Sequence, residues 1–241
     1  PEQAVSTTTS GTIVSDSEPD RPDETFVTAT QIDYVDLEKG IDPYPVRMLV
    51  TPQFLRIDEG SPGDNFLLYD RMSRDVLSVT HHDRRVLRIP FREQLGQDIA
   101  SIRFEVREQT APDMPLFAGK PPRHLQYTAN DKICYEVITA DQLLKDAADA
   151  IAGYLRTLAG EQVVNLNKTP VEFRTDCFLS NMIYQPARHL ENGLPIREWD
   201  YRGYVRELTG FAETDVSSRL FTIDPGYEVY QVNPDDPVEN L

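Results

Sequence analysis

Residues 65–90 read NFLLYDRMSRDVLSVTHHDRRVLRIP, and the alternation within this stretch sets what kind of fold the chain builds. Three runs, 65–69, 76–81 and 86–89, are separated by the short charged connections 70–75 and 82–85. Connections of that length join antiparallel neighbours, because parallel strands need a long crossover. Leu77, Val79 and His81 project to one side of their strand, with Val76, Ser78 and Thr80 on the other. In the next run Leu87 and Ile89 oppose Arg88. This period of two predicts a β-meander with one face on a core and one face wetter.

The same signal recurs on either side. Residues 46–50 and 54–57 read as a strand pair about Thr51-Pro52-Gln53, with Met48 and Val50 on one face and Arg47 on the other. Residues 26–37 are β-prone (Val27, Thr28, Ile32, Tyr34, Val35), and Asp42-Pro43-Tyr44-Pro45 then forces a turn. Downstream, 101–107 alternates Ile102, Phe104 and Val106 against Arg103, Glu105 and Arg107. The segment 111–123 holds four prolines and a glycine and reads as a long irregular connection. Residues 132–138 form another strand candidate. The period then changes: Leu144, Ala147, Ala148, Ile151, Leu155 and Leu158 recur at helical spacing. Thr139 and Gln142 suit a capping box and Gly160 a C′ position, which predicts one main helix over 139–159. Residues 194–199 and 204–208 bracket a hairpin turn at Asp200-Tyr201-Arg202-Gly203. Residues 220–223 and 227–232 are joined by Asp224-Pro225-Gly226.

With no internal repeat and no linker in the middle, these segments predict a single α+β domain over 25–232. It is flanked by an acidic leader (1–24) and an acidic tail (233–241). A chain of 241 residues with a net charge of −16 can bury a sizeable core without metals or bridges. Residues 1–24 set six acids (Glu2, Asp16, Glu18, Asp20, Asp23, Glu24) against Arg21 alone, and the tail adds Asp235, Asp236 and Glu239. Such a chain, without a basic stripe, is ill suited to nucleic acid or anionic lipid heads. No apolar run approaches the roughly 20 residues needed to cross a bilayer. The first residue is Pro1, which points to an upstream segment already removed, with a lipid anchor on it as one form. Cys134 and Cys177 either bridge or lie as two unrelated buried thiols; the even count favours a bridge. Bridged, they close a loop of roughly 44 residues, worth about 4 kcal/mol.

Three pieces of the chain resemble the half-barrel family of envelope carriers, the Lol-type lipoprotein-localisation proteins and their relatives. Residues 54–58 (FLRID), followed by 65–90, are similar to that family's succession of a strand ending in Arg-x-Asp, an apolar strand ending in Asp, a strand ending in His, and a basic turn. Residues 193–211 (GLPIREWDYRGYVRELTGF) are similar to its hairpin after a Gly-Leu-Pro entry, and 220–227 (LFTIDPGY) to its terminal strand exit. The resemblance implies a strongly curved antiparallel sheet, a half-barrel, with the 139–159 helix on its concave face. It also implies an exported, periplasmic or outer-membrane-tethered protein.

The expected function is then non-catalytic: binding of a hydrophobic or lipid-like ligand, or of a lipoprotein, in the concave face. The alternative is an envelope interaction protein with a filled core that works through its surface and the 111–123 loop. A weaker alternative is a metal-dependent enzyme using His81 and His82. Adjacent strand residues point to opposite faces, so these two converge only if the turn bends them together. His124 and His189 are far away in sequence. There is no nucleophile elbow, P-loop or dinucleotide fingerprint, so no catalytic residue and no cofactor is assigned. The late aromatic residues Phe173, Phe178, Tyr184, Trp199, Tyr201, Tyr204, Phe211, Phe221, Tyr227 and Tyr230 line a cavity or fill the core, the core being favoured.

Overall fold

The computed structural model describes residues 25–61, 63–93, 102–109 and 114–232. The expected leader (1–24), the expected tail (233–241) and the start of the 111–123 connection lie outside the described residues. The meander forms as read. β1 (Phe26–Leu37), β2 (Tyr44–Val50), β3 (Phe54–Asp58), β4 (Phe66–Asp70), β5 (Val76–Thr80) and β6 (Arg85–Ile89) follow one another as antiparallel neighbours. Charged residues make the tight turns. Asp70 Oδ1 accepts from the amides of Met72 and Ser73 at 2.8 and 3.2 Å, and Arg74 adopts φ +63°.

On the other side of β1 the sheet continues through β11 (Val205–Ser217), β10 (Pro195–Asp200), β9 (Lys132–Ala140), β8 (Pro122–Ala129) and β7 (Phe104–Gln109). The resulting order is β12-β6-β5-β4-β3-β2-β1-β11-β10-β9-β8-β7, where β12 is Glu228–Tyr230. This overturns the half-barrel. The twelve strands form an open sheet, neither closed nor strongly curled, whose edges β12 and β7 stay apart. The segment after Asp224-Pro225-Gly226 does not pair back on 220–223. Residues Ser218–Phe221 form a 3₁₀ turn, and β12 runs parallel to β6. β7, the cleanest alternator in the sequence, is an edge. Val106 is 59 % exposed, and Arg103, Glu105, Arg107 and Asp131 form an ion-pair network along it, a common defence of an unpaired strand.

The helix α1 spans Lys145–Asn165, six residues later than expected. Thr139 stays in β9, its hydroxyl donating to the Leu194 carbonyl at 3.1 Å, so no capping box forms. A left-handed turn at Gln142 and Leu144 (φ +55° and +42°) launches the helix instead. α1 lies on one face of the open sheet, where Ala147, Ala148, Ala150 and Ile151 meet Ile32, Met48, Val50, Leu55, Tyr69 and Val76. Small residues allow a close approach. A Cβ on Gly153 would fall 2.8 Å from Tyr69 Cζ and nearer still to its hydroxyl, and one on Gly160 would fall 2.8 Å from the Arg92 carbonyl. Gly160 is therefore a packing residue inside the helix, not its C′ glycine. A hydrogen bond from Thr157 Oγ1 to the Arg74 carbonyl (2.7 Å) and the bidentate Arg71–Asp146 pair (2.6 and 3.0 Å) tie α1 to the meander.

The opposite face is not wet either, which corrects the second half of the meander reading. Leu49 sits between Met48 and Val50 on β2 and points the other way. It joins Ala29, Phe66, Leu68, Val79 and Val86 in a second core covered by Phe221, with Leu220, Ile223 and Tyr227 against it. Arg56 is buried there. Its guanidinium lies 3.7 Å over the Phe66 ring, bonds Asp58 at 2.5 Å and donates to the Leu220 carbonyl at 2.7 Å. Cys134 and Cys177 form a disulfide, Cα–Cα 4.9 Å. It pins the short helix α2 (Asp176–Leu179) to β9 and fixes the start of the segment that runs on as a π-helical turn, Ser180–Tyr184. Among the described residues no helix is long and apolar enough to cross a membrane.

Candidate functional site

Where α1 stops covering the sheet, its face turns polar. Asp36 on β1, Arg206 on β11 and Glu198 on β10 are direct cross-strand partners in adjacent strands, so sheet register alone lines up acid, base and acid. Arg206 donates from Nε and Nη2 to the two Asp36 oxygens, both at 2.7 Å, and the Tyr204 hydroxyl donates to Asp36 Oδ2 at 2.9 Å. Asp36 is thus fully engaged. Glu198 is not. Its Oε1 lies 4.0 Å from Arg206 Nη1, and its Oε2 lies 3.6 Å from His189 Nε2. Among the described residues, Oε2 is buried with no hydrogen-bond partner. Such a group costs about 1–3 kcal/mol if nothing satisfies it.

Glu198, His189, Tyr204 and Arg206 line one end of a cavity of about 310 Å³. The sheet, the middle of α1 (Ile151, Tyr154 and Leu155) and the 180–190 segment enclose it. Tyr34, Tyr135 and Tyr204 flank the polar end; Met48, Ile57 and Leu155 are at the apolar end. Arg202, half exposed, stands at its edge and holds Asp200 through Nε at 2.7 Å. The Tyr34 hydroxyl is committed to the Pro195 carbonyl at 2.9 Å, and the Tyr135 ring sits 4.7 Å from that of His189.

Burial holds the Glu198 carboxyl above the usual carboxylate range. Arg206 and the Tyr135 hydroxyl pull it down, while Asp36 and Asp200 add to the rise. Burial likewise pushes His189 down to about 3, with Arg188 and Arg206 assisting. The imidazole is therefore uncharged at neutral pH beside a carboxyl that is reluctant to ionise. Burial raises the Tyr34 and Tyr135 phenols well above their ordinary value, so both stay protonated. Chemically, the polar end can receive a hydrogen-bond donor or a cation on Glu198 and exchange a proton between Glu198 and His189.

The sequence-expected site residues lie elsewhere. His81 Nδ1 is 2.7 Å from the Tyr227 hydroxyl, its ring packs against Phe66 at 5.5 Å, and His82 sits on an exposed turn. Among the described residues no group of three or more His, Cys, Asp or Glu is placed to hold a metal, and His81 is engaged by Tyr227 instead. His124 bonds Glu136 (2.9 Å) on the opposite face, where Trp199 Nε1 also donates to Glu136 at 3.0 Å. Of the late aromatic residues Tyr204 alone lines the cavity, and Phe173 and Phe211 are exposed. The ligand pocket expected in a concave sheet wall has no such wall to occupy; the cavity found is a cleft between helix, turn and open sheet. Glu198 and Arg206 carried no signal in the sequence beyond charges at inward positions of the 194–208 hairpin.

No protein-family model matches the chain, and no curated protein is significantly similar to it. Among solved structures, it is similar to an uncharacterised conserved protein from Thermus thermophilus. The identity is 12 %, 85 % of this chain and 90 % of that one are covered, and the TM-score is 0.42. It is also similar to PNGF-II, solved in space groups C2 and P21, at 10 % and 9 % identity. There 86 % of this chain is covered, with a TM-score of 0.40 in both. The match spans 31 % of PNGF-II's length. At these values the likeness carries neither a fold assignment nor an activity. The open sheet, not these likenesses, is what overturns the half-barrel resemblance.

Proposed function

We propose that this chain is a small-molecule binding protein whose ligand has a compact apolar body and a hydrogen-bond-donating nitrogen head, an amine above all. The observation that carries the reading is Glu198 Oε2, buried, unpartnered among the described residues and at the polar end of a cavity whose other end is apolar. A buried acceptor left without a donor is a standing cost, and a ligand N–H is the group that removes it. A volume of about 310 Å³ is at the small end for a ligand site, which favours an aryl- or alkylamine over a fatty acyl chain.

Titrating phenethylamine into the purified chain at several pH values from neutral to alkaline tests this by calorimetry. Saturable binding that falls about tenfold or more in Glu198→Gln is expected. Absence of saturable binding, or equal binding by the variant, refutes it. An exported location is part of the proposal, supported by the Cys134–Cys177 bridge, since such bridges persist in oxidising compartments. So is folding of residues 25–232 as one unit, supported by a sheet continuous from β12 to β7. Limited proteolysis that leaves one protected fragment of that span is the expected result.

A further inference from the structure

On the other flank of α1, a second cavity of about 250 Å³ shares no lining residue with the Glu198 cleft. Three guanidinium groups line it: Arg71 and Arg74 from the β4–β5 connection and Arg156 from α1. In a chain of net charge −16, this is a local reversal of sign. Two of the three cations have no counter-ion among the described residues. Arg74 stacks 3.6 Å over the Phe91 ring and makes no salt bridge, and exposed Arg156 has no hydrogen-bond or ion-pair partner there.

The acids nearby are already engaged. Asp146 takes Arg71 bidentately, and Asp149, the one acid in the lining, pairs with Lys145. Asp70 accepts the amides of Met72 and Ser73, and Asp75 takes Arg88 and the Phe91 amide. The Tyr69 hydroxyl also lines the cavity. It rests against Gly153, whose missing Cβ makes the room, and has no hydrogen-bond partner among the described residues. Free donors converge here while free acceptors do not.

We propose that this cavity binds a phosphomonoester, with Arg74 and Arg156 gripping the phosphoryl oxygens and Tyr69 donating a further bond. A dianion with three acceptor oxygens matches two guanidinium forks plus a hydroxyl, and planar forks bind such groups bidentately. The phosphoryl group can belong to a soluble molecule or to a lipid head, and the shared chemistry is the same.

The test titrates phenyl phosphate into the intact chain above pH 7, where the group is a dianion, and in parallel sediments the chain with phosphatidylcholine vesicles with and without phosphatidic acid. Both arginines are exposed, so Arg74→Gln and Arg156→Gln leave the chain folded, with Arg156→Gln melting like the parent and Arg74→Gln lowered only by the loss of its stack on Phe91. Saturable phenyl phosphate binding, weakened about tenfold by each substitution and by added salt, supports a soluble ligand. Binding only to phosphatidic acid vesicles, abolished in the double variant, supports a lipid head. No binding in either arm, or binding that the double variant retains, overturns the proposal. Tyr69→Phe is expected to weaken binding severalfold, less than either arginine.

Discussion

Replacing Glu198 by glutamine keeps the shape of the cavity wall and removes one buried negative charge. Opposing effects decide the sign. Arg206 lies 4.0 Å away and attracts the carboxylate, but that guanidinium already makes two bonds of 2.7 Å to Asp36, whose own charge repels Glu198. Burial is the largest effect and leaves the carboxyl above its ordinary 4.5. The unfolded chain therefore ionises first as pH rises, and stability is lost between about 4.5 and the higher native value. Glutamine avoids this loss, and its amide can donate toward the uncharged His189 Nε2, now 3.6 Å from Oε2. The unsatisfied acceptor sets the scale at about 1–2 kcal/mol. For a domain of this size that is a rise in melting temperature of about 2–8 °C. His189, pushed down to about 3, makes stability fall as pH drops below about 6.5 in both proteins, so it cancels in the difference. Thermal melts from about pH 4 to about pH 8 are the assay. The variant should match the parent at the acid end and exceed it at the alkaline end. A variant less stable at the alkaline end, or a difference that does not depend on pH, would show that burial does not dominate at this carboxyl.

Other perturbations test the scaffold. Gly153→Ala, which in an ordinary helix interior stabilises by about 1 kcal/mol, is expected to destabilise by about 1–3 kcal/mol, because its Cβ meets the Tyr69 ring and hydroxyl well inside contact distance; urea unfolding reads the sign. Removing both cysteines (Cys134→Ala with Cys177→Ala), 43 residues apart, should cost about 4 kcal/mol in the same assay. Asp58→Asn should cost about 3–5 kcal/mol, since it leaves buried Arg56 and half-buried Arg47 without their carboxylate. Burial pushes Asp58 up, but the hydrogen bonds from both arginines hold it below 3.8. Its contribution is therefore present above the ordinary carboxylate range and lost as pH falls through the lowered value, which acid melts of parent and variant will show.

How much was legible differed by scale. The β4–β6 meander, the β2–β3 pair and the β10–β11 hairpin were readable because short charged turns and strict alternation are local facts. The helix was readable as a helix, but its start was not. Thr139 and Gln142 look like a capping box in one dimension, yet Thr139 is held in β9 by the Leu194 carbonyl. β7 misled in the other direction, since its perfect alternation describes an edge strand as well as a buried one. The polar cleft was invisible. Asp36, Glu198 and Arg206 are ordinary charges in the sequence, and the register of β1, β11 and β10 alone makes them neighbours.

Period, count and charge along the chain were enough to specify the antiparallel character of the sheet, the one long helix, the cysteine pair and the acidity. Three things came only with the packed molecule: the sheet stays open, both of its faces carry a core, and a carboxyl and two arginines that are unpartnered among the described residues end up in separate cavities on either flank of α1. Curvature and cavity contents depend on which faces meet across long sequence separations, and no local pattern encodes that.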